Sequence, residues 1–286
     1  TALRLGRVSN LPTTWSNVAA GLVLAGASVP REVGLGLCLA ISSMYVGGMY
    51  LNDAFDREYD ARERPERPIP AGEVSARTVF TLGFAMLAFG VLVVAGLAWL
   101  RDTGAGSPPV MAALGLCAVI VFYNLHHKQN PWSPLVMACN RVLVYVIAAL
   151  SVGANAEHAA RLLVGSLLLF AYLIGLTYIA KQENLRALRS LWPLALLLTP
   201  LSYIAAWTEP VGRVLYVGLL AWTGYSVWWL VDRQRRNVKR AVSHLIAGIS
   251  LLDAMLVAGA AEPAIAGLCV LCFGATLALQ RHVPGT

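Results

Sequence analysis

The sequence predicts an all-α polytopic membrane protein: one domain over residues 1–286 with nine to ten transmembrane helices. Three observations carry this reading. The chain is 58% hydrophobic and only 13% charged, a balance foreign to a soluble domain of this length. Apolar runs of about 20 residues, the length a helix needs to cross hydrocarbon, recur from end to end. Basic residues fall mostly on one side. With the N-terminus in the cytoplasm, 17 of the 22 Lys and Arg lie in inside segments, 4 lie in outside loops, and Arg141 sits within a span.

The first apolar run, 12–29, reads as an integrated span rather than a cleaved leader. The second, 33–52, carries Gly47-Gly48, where two helices can approach closely. Spans follow near 78–100, 108–125, 133–153 and 159–180. The run 191–207 is short and contains Pro193 and Pro200, so a kink or tilt is expected there. The last three lie near 212–231, 241–260 and 263–281. Two chemically rich loops, 52–77 and 181–190, are four spans apart, which hints at a pseudo-repeat of four-helix units. The five cysteines all lie in apolar runs, which argues against a disulfide framework, and Cys269 and Cys272 read as helix packing rather than a metal site. The net charge of +7 is explained by cytoplasmic loops, with lipid headgroups or a phosphorylated ligand as partners and no nucleic acid.

The stretch NDAFDREYDARERPERPIPAG, 52–72, concentrates the chemistry. Asn52, Asp56 and Asp60 are spaced i, i+4, i+8, with Asp53 three before Asp56. If span two continues as a helix past the membrane edge, all four project from one face. Carboxylates at that spacing repel each other, so the pattern makes sense around a cation. Mg²⁺ suits it, being an oxygen-seeking ion that uses one or two carboxylates together with substrate phosphates. The plainer alternative is a solvated helix end whose acids pair with Arg57, Arg62 and Arg64. Pro65, Pro68 and Pro70 then force a turn that carries Arg64 and Arg67, whose forked guanidinium groups suit phosphate.

NDAFDREYD resembles the NDxxDxxxD motif of the UbiA superfamily of intramembrane prenyltransferases, and RPERPIPAG resembles the Arg-Pro segment that follows it there. The resemblance implies a helix bundle around a central cavity open sideways to lipid. It also implies an isoprenyl diphosphate bound through Mg²⁺ on Asn52, Asp56 and Asp60, with Asp53 beside them. A Lys in the loop after span four contacts diphosphate in that family, and Lys128 is its counterpart. The second motif of the superfamily, after span six, normally carries Asp. Here YIAKQENLRALR, 178–189, has none. Lys181 and Arg186 are therefore expected to neutralise the diphosphate in place of a second metal, with Glu183 orienting them or acting as a base. ERPERPIP and the Lys-x-Glu end of span six look like the EboC-like branch of the superfamily. A tenth span departs from the family's usual nine, so either one of the last four is a re-entrant segment or the C-terminus lies inside.

Other polar residues complete the expectations. Asn140 and Arg141 lie in span five, and an intramembrane arginine should face the bundle interior toward an acid or a bound anion. Asp253 is a candidate partner for a buried cation, on the face of span nine opposite His244. His126 and His127 are expected at the headgroups. Tyr45, Tyr50, Tyr123 and Tyr178 are candidates to stabilise an allylic cation, although packing is their commoner role. The activity implied is Mg²⁺-dependent transfer of a prenyl group to an unidentified acceptor. Asp56, Asp60, Lys128, Lys181 and Glu183 are the catalytic candidates, and Arg64, Arg67, Lys128, Arg141, Lys181 and Arg186 the diphosphate binders. A terpene cyclase and a non-catalytic lipid-diphosphate carrier are the alternatives.

Overall fold

A computed structural model describes residues 1–26, 31–101, 108–128, 130–153, 156–181, 192–231 and 237–283. The described chain is helical, with no strand among the described residues. Helix α1 (Ala2–Leu5) and a 3₁₀ turn lead into α2 (Leu11–Leu24). Then come α3 (Arg31–Phe55), α4 (Arg57–Glu63), α5 (Ala76–Arg101), α6 (Pro108–His126), α7 (Ser133–Ser151) and α8 (Ala156–Ala180). The rest are α9 (Trp192–Leu197), α10 (Pro210–Val231), α11 (Val238–Ala258) and α12 (Pro263–Gln280).

Eight of the described helices are long and apolar enough to cross a membrane: α3, α5, α6, α7, α8, α10, α11 and α12. The other two expected spans differ from them. The run 12–29 is represented by α2, whose 14 residues reach only about 21 Å at the helical rise. The run 191–207 breaks up. Helix α9 stops at Leu197, and two 3₁₀ turns, Thr199–Ser202 and Ile204–Trp207, follow it. Pro200 supplies the physical reason, since it cannot donate to the preceding turn. This segment is the interrupted one among the last four expected spans.

Local chemistry sets the helix starts. Proline occupies the first or second position of α6, α7, α10 and α12, where its missing N–H costs nothing. The Asn237 side chain caps α11 by accepting from the Arg240 N–H at 2.9 Å, and Ser75 accepts from the Thr78 N–H at 3.1 Å before α5.

Packing forms two main apolar clusters. One joins α2, α3, α5, α6 and α7 through residues such as Leu22, Leu37, Met44, Leu87 and Ile147. The other joins α8, α10, α11 and α12 to α2 through Leu169, Tyr172, Leu219 and Leu252. Helix α11 is the most buried of the eight spans. Large apolar side chains such as Trp99 and Leu92 stand on the outside, as lipid-facing surface requires. All five cysteines are free thiols.

Gly47 and Gly48 occur at close helix approaches. A Cβ on Gly47 would lie 2.7 Å from the Gly83 carbonyl oxygen of α5, and one on Gly48 would lie 3.1 Å from Ile120 of α6. Gly47→Leu is therefore expected to force α3 and α5 apart and to destabilise the fold by roughly 1–3 kcal/mol or more. Gly96→Ala, whose Cβ would meet nothing within 4 Å, should leave thermal unfolding in detergent unchanged.

Candidate active site: a polar-mouthed chamber

A cavity of about 460 Å³ opens between the two halves of the bundle. Side chains of α3, α6, α7, α8 and α11 line it, with the α4 region and the N-terminal segment at one end. Its deeper wall is apolar and includes Ile41, Met44, Leu116, Ile120, Val144 and Leu173. Asn52, Asp56, Asp60, Arg64, Arg67, Lys128 and Lys181 all line the same space. Residues from three separate loops and helix ends therefore converge there.

Helix α3 stops at Phe55, and α4 restarts at Arg57 with Asp56 as its N-cap residue. Backbone bonds run on through this junction, from Asp56 N–H to the Asn52 carbonyl at 2.9 Å and from Asp60 N–H to the Asp56 carbonyl at 2.8 Å. The near-helical path keeps Asn52, Asp56 and Asp60 on the chamber wall. All three are buried.

The expectation that four oxygen groups share one face is corrected for Asp53. It is buried but does not line the chamber. Its Oδ1 instead takes Arg7 at 3.3 Å and Arg67 at 3.2 Å. Arg67 also reaches Asp60 Oδ2 at 2.8 Å. Asp56 Oδ2 has Lys128 Nζ at 3.0 Å and His127 Nε2 at 3.4 Å. Burial alone would raise the Asp56 carboxyl. The hydrogen bonds and charge of His127 and Lys128 overcome this and hold it below the usual carboxylate range. The acids thus do not pair with Arg57, Arg62 or Arg64; Arg57 pairs with Glu58 at 3.1 Å.

Asn52 is oriented from both sides. Its amide nitrogen donates to Asn124 Oδ1 at 3.1 Å, and Asn124 donates in turn to the Gly48 carbonyl at 3.1 Å. The Asn52 oxygen accepts from Arg7 at 3.2 Å. Lys128 sits over the Tyr59 ring, 3.7 Å from its centroid. Arg64 makes no ion pair among the described residues, although it faces the chamber.

Lys181 ends α8 across the chamber and donates to the Asn130 carbonyl. Burial lowers its pKa from the ordinary lysine value. Glu183 and Arg186 lie outside the described residues. Tyr45 and Tyr123 line the chamber, whereas Tyr50 and Tyr178 do not. Tyr50 donates to the Ala2 carbonyl and Tyr178 to the Pro131 carbonyl.

Arg141 also lines the cavity but makes no ion pair with Asp53, Asp56 or Asp60. Its guanidinium donates to Asn17 Oδ1 at 2.8 Å and Thr13 Oγ1 at 2.9 Å, and lies 5.7 Å from the Tyr45 ring centroid. Asn17 links it to Asp253, which the Asn17 amide contacts at 2.8 Å and to which Ser16 and Tyr145 also donate. Arg141 and the acid expected to balance it are thus coupled through Asn17.

Sequence reasoning missed two residues of the site. His126 is exposed, whereas the expectation of a headgroup position fails for His127, which stacks on Tyr123 at 5.0 Å and faces Asp56. The i, i+4 spacing of Tyr123 and His127 was the available signal. Arg7 is the other, and no local pattern marks it.

The donor set fits Mg²⁺ in chemistry: an amide oxygen and two carboxylates face one chamber. Among the described residues no three His, Cys, Asp or Glu side chains are grouped closely enough to hold an ion by themselves. The arrangement therefore suits an ion that completes its shell with water and phosphate oxygens, as Mg²⁺ does.

The model of the UbiA prenyltransferase family matches residues 13–252. The chain belongs to the UbiA prenyltransferase family. A digeranylgeranylglyceryl phosphate synthase from Ignicoccus hospitalis is 40% identical over 124 residues, covering 42% of this chain and 36% of that protein. The chloroplastic chlorophyll synthase of Arabidopsis thaliana is 33% identical over 136 residues, 42% of this chain and 34% of the plant protein. The chain thus spans about a third of the length of these UbiA relatives. Among solved structures, one from work on digeranylgeranylglyceryl phosphate synthase superposes with a TM-score of 0.62 at 16% identity, over 91% of this chain and 97% of that one. A UbiA homologue from Aeropyrum pernix K1 gives 0.54 at 14% identity, over 96% and 98%. At such identities the superpositions establish the shared UbiA fold.

Proposed function

We propose that this protein is a Mg²⁺-dependent intramembrane prenyltransferase, moving a prenyl group from an isoprenyl diphosphate to an acceptor. The reading places the N-terminus and both motif loops in the cytoplasm. One observation carries it: Asn52, Asp56 and Asp60 converge with cationic side chains, Arg7, Arg64, Arg67, Lys128 and Lys181 among them, at one end of a chamber whose other wall is aliphatic. A molecule that is anionic at one end and hydrocarbon at the other matches that division, and the volume lies in the ordinary range of ligand sites.

Asn52, Asp56 and Asp60 would hold the metal. When bound, the ion supplies Lewis-acid neutralisation of the departing diphosphate. Arg64, Arg67, Lys128 and Lys181 bind phosphate oxygens, and the forks of Arg64 and Arg67 fix their orientation. The aliphatic wall keeps water from the reacting carbon. Tyr45 and Tyr123 present aromatic rings to positive charge as it develops. In the sequence reading, Lys181 and Arg186 stand where a second metal cluster is bound in relatives, with Glu183 orienting them or taking the acceptor's proton.

The test is pyrophosphate release from prenyl diphosphates of graded length by the chain in nanodiscs, with and without Mg²⁺ and with and without candidate acceptors. Release that needs both metal and acceptor is the expected result. Release without any acceptor would indicate a cyclase, and binding without release a carrier.

A further inference from the structure

Arg7 stands in the wall of the chamber, and the protein builds a structure to put it there. Leu5 is buried with Tyr50, Ala54 and Val79, which seats the N-terminal segment on the C-terminal end of α3. Tyr50 donates to the Ala2 carbonyl at 3.4 Å, and Thr1 Oγ1 donates to Glu73 Oε2 at 2.6 Å. Arg7 itself adopts φ 43°, ψ 46°, a left-handed conformation disfavoured for any residue with a Cβ. The strained turn directs the guanidinium back toward α3, where one nitrogen lies 3.2 Å from Asn52 Oδ1 and 3.3 Å from Asp53 Oδ1. Strain of this kind persists where surrounding packing fixes it, and functional sites are where it collects.

We propose that Arg7 is a substrate-positioning residue. It is a resident counter-ion of Asp53 and a hydrogen-bond donor to the neutral Asn52 amide, and its guanidinium passes to the diphosphate when the metal arrives, so that metal and diphosphate bind as a coupled pair. The proposal rests on the function proposed above and adds a residue and a thermodynamic property to it.

Charge and geometry carry the argument. Asp53, Asp56 and Asp60 face Arg7, Arg67 and Lys128, so three acids are matched by three cations before any ligand binds. A dication arriving alone at Asn52, Asp56 and Asp60 must displace Arg7, Lys128 and Arg67 from those oxygens and leave the cations short of partners, which opposes its binding. A diphosphate arriving alone finds Arg64 without an ion pair among the described residues, but Arg7, Arg67 and Lys128 already engaged by carboxylates. When both arrive, the oxygens pass to the metal and the released donors to phosphate, so each ligand favours the other. Such coupling is reciprocal by thermodynamic necessity.

Arg7 is the cation best placed to move. Arg67 bridges two carboxylates and Lys128 sits at 3.0 Å from one. Arg7 has a neutral amide oxygen and a single, longer carboxylate contact. Its amide partner is also the neutral oxygen donor of the proposed metal set, and it lines the chamber the diphosphate would fill.

Equilibrium dialysis of the chain in nanodiscs with radioactive Mn²⁺ tests this, because free and pyrophosphate-complexed metal become equal on both sides and the excess is protein-bound. Pyrophosphate should raise Mn²⁺ retention by the wild-type chain about ten-fold, within the usual span of coupling between sites. Arg7→Gln should bind Mn²⁺ alone more tightly than wild type and lose most of the enhancement, and Arg7→Lys should recover part of it. Equal enhancement in wild type and Arg7→Gln would overturn the role of Arg7 while leaving the proposed function standing. No Mn²⁺ retention by any form, with or without pyrophosphate, would sink the metal site and this proposal together. Should Arg7→Gln lose its fold by thermal unfolding, the wild-type comparison decides: the same Mn²⁺ affinity with and without pyrophosphate rejects the coupling.

Discussion

Asp56→Ala is expected to abolish prenyl-dependent pyrophosphate release while leaving the protein folded. Asp56 is the acid at the α3–α4 junction, faces the chamber, and holds Lys128 at 3.0 Å. Its removal takes away a proposed metal oxygen and also the anchor of a phosphate donor. Losing one preorganised electrostatic contact costs about 10²–10³-fold in turnover, and here two are lost together. The fold should survive because the charged partner left behind is not deeply buried: the Lys128 side chain is 42% exposed and can take water, while His127 keeps its stacking on Tyr123. The assay is initial rate at saturating Mg²⁺, paired with thermal unfolding. Asp53→Asn makes the useful contrast, since that side chain does not line the chamber and acts by holding Arg7 and Arg67. Undiminished turnover by Asp56→Ala would remove the acidic cluster from the mechanism.

The parts of the fold legible in the sequence are those set by local composition. All ten apolar runs correspond to helical segments because hydrocarbon requires every backbone group to be satisfied within its own segment. Pro193 and Pro200 mark the one that breaks, and Gly47 marks a close approach of α3 to α5. The site was legible where one helix or its continuation carries it, as from Asn52 to Asp60. It became illegible where partners come from distant segments. Arg7 reaches Asn52 across 45 residues and Tyr145 reaches Asp253 across 108, and no periodicity encodes either meeting. Asp53 shows the limit of face arithmetic in another way. The i, i+3 spacing to Asp56 was read correctly, but Asp53 gives its oxygen to Arg7 and Arg67 and does not itself line the chamber, although both arginines do.

The second large effect is expected at Asp253, far from the acidic motif, and it is an effect on the fold. Asp253 has no exposed surface and accepts hydrogen bonds from Ser16, Asn17 and Tyr145, side chains of α2 and α7. One carboxylate therefore ties α11 to two other helices at the centre of the bundle. Asn17 is shared: its amide nitrogen serves Asp253 and its oxygen accepts from Arg141. Asp253→Ala strands three donors and leaves the Arg141 charge with dipoles alone for compensation. Breaking a buried ionic network from one side costs about 3–5 kcal/mol, because the remaining charge is left uncompensated in low dielectric. Asp253→Asn keeps the shape and part of the hydrogen bonding and should cost less. The double variant Asp253→Leu, Arg141→Leu removes both charges and should recover stability relative to Asp253→Ala, since a well-packed apolar pair often replaces a buried ion pair without loss. Thermal unfolding in one detergent, read for all three, gives the order. Equal stability of Asp253→Ala and the wild-type chain would mean that the network is a consequence of the packing around it rather than one of its causes.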